Sequence, residues 1–271
     1  MSAFKMFEAL KRFFYKDNEN RIIFWADDVT GFQPPVPAAS LIPDWWKNTP
    51  SYGGFKGTEP NKKTMNFHSG ADNATIKRCI PVLDSMSLGY LVVTPAELYV
   101  SPKEVTEKNV ENGPTSEFLL FYPRRAERVD YHPWGQASRH PYGTKQRLAK
   151  VFTPWHVRLP KDHSLIITEP LNNPSEYWSV VSGVMDSDDF YPTLNFMVAI
   201  KDPNFEGIIP AGTPIAQLIP FKRDNWESVI VDSDNNSGKI ITDNQVALNN
   251  RLSKVFHGAY KKLFWSKKEY R

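Results

Sequence analysis

Cysteine is almost missing. Cys79 is the only one in 271 residues, so no internal disulfide framework can form, and a reducing compartment is the natural reading. No run of about 18 apolar residues occurs, which excludes a membrane-spanning helix by length. The N-terminus lacks the uninterrupted apolar core and small-residue cleavage site of a secretory signal. Neither sign of charge is in large excess, with 33 Lys+Arg against 30 Asp+Glu, so charge alone does not point to nucleic acid. Internal repeats and low-complexity tracts are also missing. These absences predict a cytoplasmic globular protein.

What the chain has is proline and tryptophan, 22 and eight respectively. Proline spread this widely favours short strands, sheet edges and ordered loops over long helices. The length allows one large domain with elaborations. Strand-like runs are Arg21 to Ala26, Met86 to Val93, Thr94 to Val100, Glu117 to Tyr122, Lys150 to Arg158, Leu165 to Thr168, Trp178 to Val181, Thr193 to Ile200, Ile215 to Ile219 and Trp226 to Val231. Thr75 to Asp84 reads as a turn or short helix. Cys79 lies there in an apolar context, which predicts a small buried hydrophobe rather than a nucleophile.

Two stretches read as amphipathic helices. Ser2 to Tyr15 repeats Phe4, Phe7, Leu10 and Phe14 at three- and four-residue steps. Such a helix packs on its own domain or docks on a partner subunit or membrane surface. Thr242 to Lys267 carries Leu248, Leu252, Val255, Ala259 and Leu263 as one stripe, with Thr242 and Gln245 spaced as a capping box. Its basic end suits the helix dipole; the other reading is anion binding.

Several loops hold candidate binding residues. Trp45 and Trp46 either cap a core or form an exposed platform. Ser51 to Lys63 reads as a mobile loop. Residues 124–144 read as a long polar loop with His132 and His140. No third ligand stands at helical or Cys-x-x-Cys spacing, so no metal is predicted. Arg124, Arg125, Arg128 and Arg139 beside the histidines instead favour a phosphate or a partner; a surface loop tied down by its aromatics is the plainer reading.

The stretch from Ser182 to Arg223 organises the rest. Gly183-Val184-Met185-Asp186-Ser187-Asp188 sets two carboxylates two residues apart in a turn. Gly212-Thr213-Pro214-Ile215-Ala216-Gln217-Leu218-Ile219 feeds an apolar strand with one polar side chain. This ordered pair resembles the G-x-I-D-x-D-Y and G-D-R-I-A-Q-L-I motifs of the dUTPase and dCTP deaminase superfamily, whose fold is the β-clip. The resemblance implies that Asp186 orients the attacking water, Asp188 is the second carboxylate, Tyr191 packs the sugar and base, and Gln217 is the pocket glutamine. Mg²⁺ would shield the triphosphate, and β-clip proteins often form trimers. Most of the chain also resembles an uncharacterised protein family of bacteria and tailed phages, through Phe24 to Asp28, Ala126 to Gln136 and the Y-K-K-x-F-W-x-K-K ending.

The departures from the superfamily bear on activity. Glu169-Pro170-Leu171-Asn172-Asn173-Pro174-Ser175 replaces the Arg-Ser phosphate loop, and a carboxylate there repels phosphate. Thr213-Pro214 stands where Asp-Arg belongs. The Gly-rich arm that closes over the triphosphate has no counterpart before Arg271.

The expectation is therefore a mainly β protein. A β-clip core spans residues 75–231, preceded by a wrapping segment over 1–74 and followed by a helix over 232–271. It is predicted to be a non-catalytic binding or structural protein without cofactor, working as a homo-oligomer, a trimer by resemblance, or among virion proteins. Its ligand residues are Asp188, Tyr191, Gln217, Arg139 and His132. The alternative is a diverged Mg²⁺-dependent nucleotide hydrolase or deaminase-like enzyme using Asp186 on a pyrimidine nucleotide.

Overall fold

The computed structural model describes residues 20–27, 32–53, 59, 61–64, 73–106, 113–123, 129–142, 145–191, 193–232, 236–254 and 259–271. The helix read over Ser2 to Tyr15, and Arg124, Arg125 and Arg128, lie outside them. The chain divides into two units: residues 1–42, 86–223 and 270–271, and residues 43–85 and 224–269.

The first unit is mainly β. Its strands are β1 (Ile23–Trp25), β2 (Val36–Pro37), β3 (Tyr90–Val93), β4 (Leu98–Lys103), β5 (Glu117–Phe121), β6 (Val129–Tyr131), β7 (Ala149–Arg158), β8 (His163–Thr168), β9 (Trp178–Val180), β10 (Gly183–Asp186), β11 (Thr193–Ile200), β12 (Gly207–Ile209) and β13 (Pro214–Lys222). They form three antiparallel sheets, in the orders β1-β7-β11-β9 with β6 also on β7, β10-β8-β13-β3-β2, and β12-β4-β5.

The period-two alternation expected of a half-buried strand is clearest in β7, where Ala149, Val151, Thr153, Trp155 and Val157 are buried and the residues between them are not. The inward faces meet in one core that includes Leu98, Leu165, Trp178, Phe196, Val198, Ile215 and Leu218. Tyr270, near the C-terminus, packs edge-on against Tyr90, centroids 5.8 Å apart.

One glycine is fixed by geometry. Gly89 has φ +69°, and a Cβ there would lie 2.0 Å from the carbonyl oxygen of Leu218 on β13. The close approach lets β3 begin beside β13 at the Tyr90–Leu218 pair.

The second unit contains α1 (Asp44–Asn48), a 3₁₀ turn over Ile76–Arg78 and most of α2 (Ile80–Ser87). Residues 129–142, in the first unit, hold α3 (Trp134–Ala137); the second unit continues with α4 (Asn236–Lys254) and α5 (Ala259–Leu263). Within it, Trp46 is buried and Trp45 is 42% exposed. Asp84 accepts from Trp265 Nε1 at 2.8 Å and from Lys268 Nζ at 2.7 Å.

Five sequence expectations are corrected. Cys79 is exposed, because its backbone closes the 3₁₀ turn through a 2.9 Å bond to Ile76, and a turn cannot bury every apolar neighbour. The loop over 124–144 contains β6 and α3; β6 is decided by pairing with β7, a long-range event invisible in local composition. Gly183 to Asp186 is a strand rather than a turn, because β8 lies alongside it. The C-terminal helix begins at Asn236, so Thr242 and Gln245 lie inside it and form no N-cap. Once a helix is nucleated each added residue gains a backbone bond, which recruits the weak helix formers ahead of Thr242. Trp226 to Val231 belongs to no strand.

No helix among the described residues is long and apolar enough to cross a membrane.

Candidate functional site

The site builds outward from β10. Pairing with β8 sets Asp186 opposite Ser164, and Ser164 Oγ donates to Asp186 Oδ1 at 2.5 Å. Beyond the strand the chain turns inward, which buries Ser187 and Asp188. Between β7 and β8 the turn passes through Asp162, whose φ of +63° is the left-handed conformation that Asp tolerates better than most residues. Its backbone N–H donates to Asp188 Oδ2 at 3.0 Å.

Arg223, one residue past β13, completes the cluster. Its backbone N–H donates to the Asp162 carbonyl at 2.8 Å. Its Nη1 donates to the His163 carbonyl at 3.0 Å, to Ser164 Oγ at 3.1 Å and to Asp188 Oδ1 at 3.2 Å. Its Nη2 pairs with Asp188 Oδ2, and Asp186 Oδ1 lies 3.4 Å from Nη1. The guanidinium thus grips Asp188 as a fork, the geometry that lysine cannot reproduce.

The two carboxylates have different roles. The Asp188 side chain is 5% exposed and that of Asp186 is 71% exposed. Arg223 beside Asp188, with the Asp162 N–H adding to it, holds its carboxyl below the usual carboxylate range against the opposing effect of burial. A depressed folded value contributes stability that is present above the unfolded value of about 3.9 and is lost as pH falls through the folded one. Asp188→Asn is therefore expected to lower the melting temperature at neutral pH and to lose less stability than the wild type on acidification. Thermal melts across an acid pH series would show this; parallel curves for the two proteins would refute it.

The fit to a divalent cation is poor. Mg²⁺ needs hard oxygen ligands in near-octahedral array, and here one carboxylate of the pair is filled by a guanidinium. Among the described residues no group of three His, Cys, Asp or Glu side chains is placed to hold a metal.

The other expected ligand residues disperse. Gln217 is buried on β13; its Oε1 accepts from the Leu171 N–H at 2.8 Å and its Nε2 donates to the Leu88 carbonyl at 2.6 Å. Both ends of the amide are committed to backbone. Gln217 shares a sheet with Asp186, but Asp186 stands level with Phe221, through Ser164. The four-residue offset from Gln217 to Phe221 amounts to about 13 Å along the strand, with about 10 Å across two strand spacings.

Tyr191 is 40% exposed. It meets Trp25 edge-on at 5.9 Å, and the Arg158 guanidinium lies 5.0 Å over its ring. Trp25 in turn stacks on His156 at 5.2 Å. His156 Nδ1 lies 3.1 Å from the Tyr191 carbonyl. His132 Nδ1 faces Gln136 Oε1 at 3.2 Å, and Arg139 is exposed after α3. Glu169 pairs with Lys201 at 3.1 Å.

Arg223, Ser164 and Asp162 form the site with Asp186 and Asp188, and the sequence did not single them out. The one available signal was an arginine directly after the glutamine-bearing strand. The pairing of Trp25 with His156 follows from the β1–β7 register and has no local signature.

A second polar centre lies between β4 and β5. The Glu117 side chain is 1% exposed, with Lys103 Nζ at 3.2 Å and Arg147 Nη1 at 3.5 Å. Thr106 Oγ1 lies 3.2 Å from Glu117 Oε1. Burial pushes the Glu117 carboxyl up, and the hydrogen bond and charge of Lys103 together with Arg147 outweigh it, so the group sits below its ordinary range.

No protein-family model matches the chain, and no curated protein matches its sequence.

Proposed function

We propose that this chain is a diverged dUTPase-like β-clip protein that binds or assembles rather than hydrolyses, and that it serves as a homo-oligomeric component of a larger structure such as a tailed-phage particle. The observation that carries this reading is the fork of Arg223 on Asp188. The second carboxylate, expected from the sequence to meet a ligand, is spent on tying the end of β10 to the end of β13. Gln217 supports the same reading, since its amide braces two loops and presents no free edge to a base.

A second reading is a Mg²⁺-dependent enzyme acting on a pyrimidine nucleotide. It is favoured by Asp186, whose carboxylate remains mostly open to solvent.

Thermal stabilisation with dUTP, dCTP and dUMP, each with and without Mg²⁺, separates the two. A ligand at 100 times its Kd stabilises the native state by about 2.7 kcal/mol. The binding-and-assembly reading expects no Mg²⁺-dependent shift. A saturable shift that disappears in Asp186→Asn would replace it with the enzyme.

A further inference from the structure

Trp226 to Val231 is written as a strand and has no sheet. Val229-Ile230-Val231 is a β-branched run of the kind that favours pleated pairing, yet these residues belong to neither helix nor strand. Among the described residues no backbone hydrogen bond involves Trp226 to Val231. Their apolar side chains stand in water: Trp226 is 90% exposed, Val229 74% and Ile230 97%. Isolated exposed apolar residues are ordinary, but several in one short segment mark an interaction site.

The same chain carries a sheet edge that lacks a neighbour among the described residues. There β10 pairs with β8 alone. Its sequence, Gly183-Val184-Met185-Asp186, has no lysine, proline or bulge of the sort that blunts natural edges, and Val184 is 66% exposed. The competing edges are poorer templates. β1, β2, β6, β9 and β12 have two or three residues each. β5 is longer, but its Leu120 N–H donates to Tyr131 Oη at 3.0 Å and is not free for a ladder.

Arg223, three residues before Trp226, lies 3.4 Å from Asp186, the last residue of β10. Two copies related by a twofold axis beside β10 would each bring this segment within reach of the other. Six extended residues span roughly 20 Å and the four-residue edge about 13 Å, so the reach is sufficient.

We propose that Trp226–Val231 is a strand exchanged between two copies of this chain, the segment of each extending the partner's sheet along β10. The interface is isologous and therefore closes. Main-chain bonds would supply affinity and the alternating side chains register, as in other strand additions. The inference deepens the assembly reading above by naming the interface, and it is independent of any ligand at Asp186.

The mass of the full chain in solution, by light scattering over a concentration series, gives the first test. The wild type is expected to be dimeric or a multiple of the dimer, with a melting temperature that rises with concentration. Ile230→Lys and Val184→Lys are each expected to give the monomer with an unchanged far-UV spectrum, because both side chains are exposed in the single chain. Cross-linking gives the second test. In a Cys79→Ser background, chains carrying only Val184→Cys are mixed with chains carrying only Ile230→Cys. A disulfide joining the two kinds of chain is expected on oxidation.

A wild type monomeric at every concentration overturns the proposal. So does an oligomer whose mass ignores Ile230→Lys, although assembly by another surface would then stand. A disulfide that forms only when both cysteines share one chain assigns the strand to its own sheet and overturns it equally.

Discussion

Replacing Gly89 by alanine is expected to destabilise the protein by upwards of about 4 kcal/mol, a loss that single substitutions rarely reach. Two effects combine. Gly89 has φ +69°, a conformation that costs an L-residue about 1–2 kcal/mol. The larger effect is steric: the new methyl would lie 2.0 Å from the Leu218 carbonyl oxygen and 3.2 Å from the Cα of Ile219. Both atoms are backbone of β13, in the middle of its sheet, so no side chain can rotate away. β3 would have to separate from β13, and the 2.9 Å bond from the Ala38 N–H to the Gly89 carbonyl would go with it.

Gly212 separates the two effects. It also has positive φ, +80°, but nothing lies within 4 Å of its notional Cβ. Gly212→Ala is expected to cost only the conformational penalty. At about 2–4 °C per kcal/mol for a chain of this size, Gly89→Ala would lower the melting temperature by roughly 8–16 °C and Gly212→Ala by a few degrees. Equal losses in a thermal melt would mean that the close approach of β3 to β13 is not what position 89 protects.

Removing the Glu117 carboxylate is expected to have the second large effect. Glu117→Leu fills the space but leaves Lys103 and Arg147 facing a buried site without its negative charge. Breaking one side of a buried ion pair costs about 3–5 kcal/mol. Glu117→Gln keeps an acceptor for Thr106 and is expected to cost less. The pH dependence adds a signature: the folded carboxyl lies below its ordinary range, so its contribution is complete above the unfolded value of about 4.3 and is lost as pH falls through the folded value. The gap between wild type and Glu117→Leu should therefore narrow in acid. Chemical denaturation at neutral and acid pH would measure it, and a gap that widens on acidification would show that volume rather than charge sets the cost.

The centre around Glu117 and the one around Asp188 share a design. Each buries a carboxylate where three or more chain segments meet and satisfies it with a cation from a distant segment: Arg147 for Glu117 and Arg223 for Asp188. Such pairs are modest sources of net stability, but they are costly to break. They fix which strand end lies beside which turn. That is why the acidic turn after β10 reads as a structural clasp as well as a candidate ligand site.

Patterns with a local cause were legible in the sequence. The alternation from Lys150 to Arg158, the apolar runs Thr193 to Ile200 and Ile215 to Ile219, and the proline-rich connections set the mainly β class, because each strand's two faces are written into adjacent residues. The pairing of carboxylates at 186 and 188 was visible too. The tertiary structure decided what pairs across distance. It placed Arg223 on Asp188, turned the amide of Gln217 to the backbone at Leu88 and Leu171, set Trp25 on His156, and gave Gly183 to Asp186 a ladder while leaving Trp226 to Val231 without one. The physical reason is that a strand and an ion pair both need a partner, and a sequence states only one half of each.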